Sequence, residues 1–496
     1  MKEYKLFIGG EFVPSSEGKT YDNTNPATGE VISKCHIPSL SDIDKAVDVA
    51  EKAFYSDEWS SMTGVERSEI LLKISELIKE RKRELIEWEI KDSGSTLRKA
   101  KADIHNSASF FKVMSKVAAN FQFEEKDSKA SREDFSINYR KYEPVGVCAQ
   151  VIPWNFPLVM AAWKIGPIIA TGCTSVLKTA QETPVTAMIL AEILNEAGLP
   201  KGVINIITGD AAEGKHLVAH PRVRKIGFTG STQVGRAIMA EASNNIKTCS
   251  LELGGKSPNI ILEDADIDTA VDGALYAFLY HSGQACDSGT RLLVHDSIYD
   301  EFVKKLTKRM EDITIGEPHE PTTGFGPVVS EKQFNTIMGY IDKTKEEGAN
   351  LLYGGERITG GNFDKGFYIK PTAFEISPDN TIFHEEIFGP VVGITRFKDE
   401  KEALELANNS EYGLAAAVWS KDHARARALA EKIEAGTVWI NEYHLLNPGM
   451  PFGGYKQSGL GREMGREGIL AYLEVKHIWE SDCDARDQKV WFDAIF

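Results

Sequence analysis

Apolar positions along most of this chain fall into two alternating patterns: short, nearly continuous runs and longer stretches with the helical period. The pattern is cleanest between residues 145 and 253. Val145-Gly-Val-Cys-Ala-Gln-Val-Ile152 reads as a buried strand, 157–169 as an apolar helix, and Ser175-Val-Leu-Lys178 as a second strand. A helix at 184–197, a strand at Val203-Ile-Asn-Ile-Ile207 and a helix at 211–218 follow. Lys225-Ile-Gly-Phe-Thr229, a helix at 233–242 and a strand at 248–253 complete this part. Strands that alternate with helices in this way imply right-handed crossovers and a parallel sheet. After Pro258 the pattern restarts with a strand at 259–262, a helix at 267–279 and a strand at 291–294, and it continues to about Asn441.

The flanking regions are less regular. Phe7-Ile-Gly-Gly-Glu-Phe-Val13 alternates around Gly-Gly and predicts a hairpin. Ser41-Asp-Ile-Asp44 has capping-box spacing and predicts a helix start. Residues 65–90 read as one long helix, with Ser93-Gly94 as its stop. Residues 124–134 are polar and predict an exposed connection, whereas Phe135-Ser-Ile-Asn-Tyr139 and the stretch 472–479 alternate as strands do. Together the patterns predict an α/β fold of two doubly wound, Rossmann-like lobes, with a boundary near Gly254-Gly255.

Composition narrows the class. The 496 residues are 42% hydrophobic and 26% charged, ordinary for a globular protein with several cores. A net charge of −16 argues against nucleic acid or an anionic membrane as partner. No apolar run approaches the ~20 residues that span a bilayer, and the N-terminal apolar segment is too short for a secretory signal. The six cysteines, at 35, 148, 173, 249, 286 and 483, include no Cys-x-x-Cys pair. Zinc-ligand spacing is therefore absent and no metal site is expected. Scattered thiols of this kind point to a reducing compartment, and the expected location is the cytoplasm.

Candidate chemistry is ambiguous when each motif is read alone. The dinucleotide fingerprint is missing: Gly459-Leu-Gly461-Arg-Glu-Met-Gly465 is one residue too long. Gly209-Asp-Ala-Ala-Glu-Gly214-Lys215 imitates a phosphate loop, but His216 stands where Ser or Thr is needed. Phe228-Thr-Gly230-Ser231-Thr-Gln-Val-Gly235 follows a strand and opens a helix, which suits a phosphate site or an ordinary Gly-rich turn equally. Cys286 lies in Tyr280-His-Ser-Gly-Gln-Ala-Cys286-Asp-Ser-Gly, where Gly flanks and polar neighbours fit a reactive thiol, although a lone cysteine is more often structural. Pro153-Trp-Asn155-Phe-Pro157 places an amide beyond a strand end, either to donate to an oxyanion or to satisfy a turn.

The segments taken together, in order, resemble the aldehyde dehydrogenase superfamily over essentially the full length. The resemblance rests on Asn25-Pro26-Ala-Thr-Gly29, Pro153-Trp-Asn-Phe-Pro157, Gly227-Phe-Thr-Gly-Ser231 and Leu251-Glu-Leu-Gly-Gly-Lys256. It rests also on Gly283-Gln-Ala-Cys286, Glu386-Ile-Phe-Gly-Pro390 and Pro451-Phe-Gly-Gly-Tyr-Lys-Gln-Ser-Gly459. It implies Cys286 as nucleophile, Glu252 as general base, Asn155 with the Cys286 N–H as oxyanion hole, and Lys164 in proton relay. For the cofactor it implies Lys178 and Glu386 on ribose hydroxyls, Phe388 by the nicotinamide ribose, and Gly230, Ser231 and Gly235 at the pyrophosphate. Ile152, Trp154, Gln181 and Gln333 match further cofactor-contacting positions, and Met160, Trp163, Tyr280, Glu442, Tyr443 and Phe452 match the aldehyde tunnel.

The resemblance further implies a cofactor-binding domain at 1–122 and 145–254 and a catalytic domain at 255–457. An oligomerisation element and tail at 123–144 and 458–496 would build a homodimer or homotetramer. The expected reaction is oxidation of an aldehyde to the acid by NAD through a cysteine thiohemiacetal and thioester, without CoA, since Glu252 supplies a hydrolytic base. Gln181 departs from the pattern: NAD-preferring relatives carry a glutamate there that repels a 2′-phosphate, so NADP is an expected second cofactor. Glu442 and Tyr443 would suit a cationic aldehyde such as betaine aldehyde, but a generic apolar tunnel is the preferred reading.

Overall fold

The computed structural model describes residues 2–127 and 136–495. Five parallel strands, Thr248–Glu252, Lys225–Thr229, Val147–Val151, Thr174–Lys178 and Ile204–Ile207, lie side by side in that order. The antiparallel hairpin Leu6–Ile8 and Glu11–Val13 extends one edge, and Gly459–Leu460 pairs antiparallel with Thr248–Glu252 on the other. This last pairing puts part of the segment expected in the oligomerisation element into the first sheet. Alternate residues feed two cores. Cys148 and Leu177 pack with Leu71, Ile165 and Ile189, while Val147, Ala149 and Val176 pack with Ile43, Val47 and Leu217. Helices therefore cover both faces, as a buried parallel sheet requires.

The second sheet is built the same way. Thr372–Glu375, Val391–Phe397, Arg291–His295, Pro258–Ile261, Ala415–Trp419 and Thr437–Ile440 run parallel, with Asn350–Tyr353 antiparallel at the edge. Its faces carry separate cores, one around Ile260, Ile341 and Phe374 and one around Ile261, Phe278 and Phe302. A third sheet pairs Leu473–Ser481 with Ser136–Pro144, and the latter with Glu124–Asp127. The expected start of a strand at Phe135, and most of the polar connection before it, lie outside the described residues.

Two expectations about the helices need correction, and one helix is new. The first long helix is Leu40–Phe54, with Ser39 as N-cap and Asp42 completing the box, two residues earlier than expected. The single helix expected over 65–90 is two, Gly64–Glu80 and Lys82–Ser93, divided at Arg81. Arg81 takes φ −89° and ψ 12°, and its guanidinium ties Glu84 to Glu192 of a neighbouring helix. The helix Leu97–Asn120 was not anticipated at all.

Candidate active site

In the first sheet the chain passes from Val147–Val151 to a neighbour on one side and from Lys225–Thr229 to a neighbour on the other. Beyond the carboxyl ends of two such strands an open α/β sheet forms its ligand crevice. Ile152, Trp154 and Asn155 follow the first of these strands, and Gly230 and Ser231 the second. The second sheet turns its amino ends toward this place. Gly254-Gly255 leads into Pro258–Ile261, Cys286 precedes Arg291–His295, and Glu386–Pro390 precedes Val391–Phe397.

The Cys286 loop is held by backbone contacts that only glycine permits. A Cβ on Gly283 would lie 2.1 Å from the Gly389 carbonyl oxygen, and one on Gly255 would lie 2.4 Å from that of Cys286. His281 and Ser282 before it adopt left-handed φ of 52° and 56°, with Ser282 Oγ donating to Gly326 O at 2.8 Å. Asn155 is buried, and its Nδ2 donates to Gln284 O at 2.8 Å, two residues from the thiol. Gln284 is fixed in turn: Val329 N donates to its Oε1 at 2.9 Å and its Nε2 donates to His281 O at 3.0 Å. A primary amide has two N–H groups, so Asn155 keeps one for a second acceptor.

Electrostatically the resting thiol is the opposite of activated. Burial, then the carboxylates of Asp287, Glu386 and Glu252, push the Cys286 thiol well above its ordinary range. Its own backbone N–H opposes this. The free protein should therefore react with iodoacetamide slowly at neutral pH, with the rate rising only above the ordinary thiol range. Glu252→Gln should speed the reaction once Glu252 is ionised, because a negative charge is lost; a slower reaction would make Glu252 the thiol's activator.

Glu252 ends Thr248–Glu252, buried, with neither carboxylate oxygen hydrogen-bonded. Burial, followed by the charge of Glu463, raises its pKa well above the usual carboxyl value, against Lys164 and Arg462. Lys164, fully buried in Pro157–Thr171, is salt-bridged to Glu463. Glu463 is pinned by a reciprocal bridge to Phe452, with both N···O distances 2.7 Å. A Lys164–Glu463 pair thus sits behind the candidate base. Glu463 was missed because a glutamate in a glycine-rich loop carries no periodic signal.

The candidate cofactor residues divide into those open to a ligand and those that shape the crevice. Lys178 is buried, its Nζ donates to Thr179 O at 3.0 Å, and burial lowers its pKa against the pull of Glu182, Asp210 and Glu213. Glu386 accepts from Gly255 N at 3.1 Å, and burial raises its pKa to about 7. Ser231 caps Thr232–Ala242, exposed at the helix start beside half-buried Gly230, while Gly235 packs on Leu253. Trp154 and Phe388 meet edge to face at 5.2 Å, with Phe388 at φ 57°. Gln333 Nε2 donates to Phe388 O at 2.8 Å and so braces this loop. Ile152 is buried and Gln181 half-buried. The phosphate-loop imitation at 209–215 is unsuited to an anion: Glu213 fills its helix start, accepting from Asp210 N at 2.7 Å.

On the substrate side, Met160, Trp163 and Phe452 gather with Phe156, Leu446 and Cys286 around one apolar cluster. Trp163 contacts Phe452 at 5.6 Å, and Tyr280 contacts Phe156 at 6.0 Å. Tyr443 does not join them. It is 0% exposed and its hydroxyl donates to Asp287 O at 2.8 Å, so it supports the Cys286 loop from within the core. Glu442 is exposed and accepts from Tyr443 N at 2.9 Å. Buried as it is, Tyr443 does not present the ring face expected for a cationic substrate.

Comparison with known proteins agrees with this fold. The pattern of the aldehyde dehydrogenase family matches residues 12–478. A betaine aldehyde dehydrogenase of Bacillus subtilis is 41% identical over 491 residues, covering 99% of both chains. An aldehyde dehydrogenase of Aspergillus niger is 42% identical over 476 residues, covering 95% of this chain and 94% of its own. The NAD+ complex of an aldehyde dehydrogenase from Bacillus cereus superposes with a TM-score of 0.94 at 43% identity, covering 97% of each chain. Betaine aldehyde dehydrogenase from Staphylococcus aureus, bound to NAD+, gives 0.95 at 40% identity, covering 99% of this chain and 96% of that one. This chain belongs to the aldehyde dehydrogenase family.

Proposed function

We propose that the protein oxidises an aldehyde to its carboxylic acid with NAD, through a thiohemiacetal and a thioester on Cys286. The observation that carries this reading is the convergence on one crevice of a thiol, a half-free amide and a buried, unpaired carboxyl group. The crevice suits a dinucleotide: a helix start opens at Gly230-Ser231, and buried Lys178 and Glu386 stand ready for hydroxyl groups. NAD, when bound, supplies the hydride acceptor and a cationic ring.

The chain's own residues do the rest. Cys286 sulfur attacks the carbonyl carbon as its proton passes to solvent water, and the carbonyl π pair moves onto oxygen. The remaining Asn155 N–H and the Cys286 N–H donate to that oxygen. When the C=O bond re-forms, the aldehyde hydrogen departs with its electron pair and leaves a thioester. Water then adds to the thioester while Glu252 takes its proton; the C–S bond breaks, and that proton passes from Glu252 to the leaving sulfur, restoring the thiol. One aldehyde, one water and one acceptor give one acid, one reduced acceptor and one proton. A panel of aldehydes with NAD, followed by absorbance of the reduced nicotinamide, tests the reading, and no turnover with any of them would sink it.

NAD is the acceptor, and we extend the proposal to NADP through Gln181, which carries no charge to oppose a 2′-phosphate. Glu182 and the other carboxylates around Lys178 work against NADP. One unit charge at ~4 Å in a partly solvated site is worth ~1–4 kcal/mol, so Gln181→Glu should raise the NAD:NADP efficiency ratio by about tenfold or more. An unchanged ratio would show that this position does not read the phosphate. Cys286 packs against an apolar core that also takes Phe156, Trp163 and Leu446, which favours aliphatic or aromatic aldehydes over cationic ones.

The lobes would serve as cofactor and catalytic units, and the third sheet would join subunits. Strand Leu473–Ser481 is paired on one side with Ser136–Pro144, and Val475 and Trp479 are each 60% exposed along it. An edge strand with exposed apolar side chains invites pairing with a second copy. Truncation after Gly468 should reduce the assembly state measured by light scattering; an unchanged mass would refute this assignment.

A further inference from the structure

The turn that carries Asn155 is braced by a buried ion pair that the proposed chemistry leaves unused. Lys99, 3% exposed in Leu97–Asn120, faces Asp103 one turn along the same helix. Its Nζ donates to Ser95 Oγ at 3.0 Å and to the main-chain carbonyl of Asn155 at 3.2 Å, and lies 4.3 Å from the centroid of the Phe156 ring. Buried ion pairs add little to stability, since well-packed apolar replacements are often neutral or better. The pair therefore needs another explanation, and its third contact supplies one. Asn155 is held at both ends: its side-chain amide by Gln284 O and its carbonyl by Lys99. A donor acts on the developing oxyanion from about 2.7–3.1 Å, and its position must be held to within about 0.5 Å.

We infer that the Lys99–Asp103 pair is a positioning device for Asn155, setting where its free N–H points relative to the oxygen that gains charge at Cys286. The inference rests on the proposed aldehyde oxidation. Its test is a double-mutant cycle on the full chain, reading the single-turnover rate of nicotinamide reduction at saturating NAD and aldehyde, together with the Kd for NAD. Lys99→Met with Asp103→Leu removes both charges of the pair, and buried Glu89 beside it, whose pKa is already raised to about 8, stays protonated when the Lys99 charge is lost. Misplacing a reacting group by ~1 Å costs up to ~10²-fold, so this pair of substitutions should slow reduction by about 10–100-fold with NAD affinity unchanged. Asn155→Ala should cost ~10²–10³-fold, and combining all three should cost no more than Asn155→Ala alone. Lys99→Gln with Asp103→Asn keeps a hydrogen-bond donor without charge on a side chain one bond shorter, and should stay within about 3-fold of the parent rate. A full rate in Lys99→Met/Asp103→Leu, or losses that multiply with Asn155→Ala, would overturn the inference. So would a tenfold loss in Lys99→Gln/Asp103→Asn with normal NAD binding. Failure of the parent chain to reduce NAD with any aldehyde would instead remove the proposed function.

Discussion

Cys286→Ala is expected to abolish aldehyde-dependent reduction of NAD while NAD still binds with its parental Kd. Without the sulfur no thiohemiacetal forms, and the aldehyde hydrogen has no adjacent oxyanion to expel it. The substitution removes one atom from a loop whose shape is set elsewhere. Gly283 and Gly255 fix the backbone approach, Gln284 holds Asn155, and Tyr443 supports Asp287 from below. Loss of activity with intact NAD binding would thus report chemistry, not folding. Activity within tenfold of the parent would leave Cys286 as a structural thiol.

Glu252→Gln is expected to separate the two halves of the reaction. The first turnover should survive, giving a burst of one reduced nicotinamide per active site. Steady turnover should fall by ~10²–10⁴-fold, the usual worth of a general base. The raised pKa of Glu252 sets the sign of the pH dependence. A carboxyl group displaced upward stays protonated at pH values where an ordinary one is ionised, and a protonated group cannot accept a proton from water. Deacylation in the parent should therefore weaken as pH falls through that raised value, and Glu252→Gln should lose this limb. A burst that vanishes with steady turnover would place Glu252 in the first half-reaction.

How much of this was legible depends on what kind of signal each feature carries. Parallel strands buried on both faces write themselves as continuous apolar runs, so Val147–Val151 and Ile204–Ile207 were readable to within two residues. The helix start was misplaced because Ser39-Leu-Ser-Asp42 and Ser41-Asp-Ile-Asp44 share one spacing, and only packing chooses between them. The break at Arg81 is invisible for a related reason: the apolar period continues across it, and the residue at the break is tied to Glu192, distant in sequence.

The site was legible through resemblance rather than through residue physics. Local reading left Cys286 structural and Asn155 a turn residue, and only the collinear segments reversed both. Polar groups defined by tertiary contact stayed hidden. Glu463 meets Lys164 from 299 residues away, and Lys99 meets Asn155 from 56 residues away. Tyr443 shows the converse error, since an aromatic side chain in a loop does not declare whether it faces the tunnel or the core.

The central claim, a covalent acyl intermediate on Cys286 resolved by Glu252, is open to one direct measurement. The Glu252→Gln protein is mixed with NAD and a simple aldehyde, quenched in acid within the burst, and weighed intact and after digestion. The account predicts a mass gain of one acyl group, confined to the peptide that contains Cys286 and removable by hydroxylamine. Reduced nicotinamide formed without that adduct, or an adduct on a different residue, would contradict it.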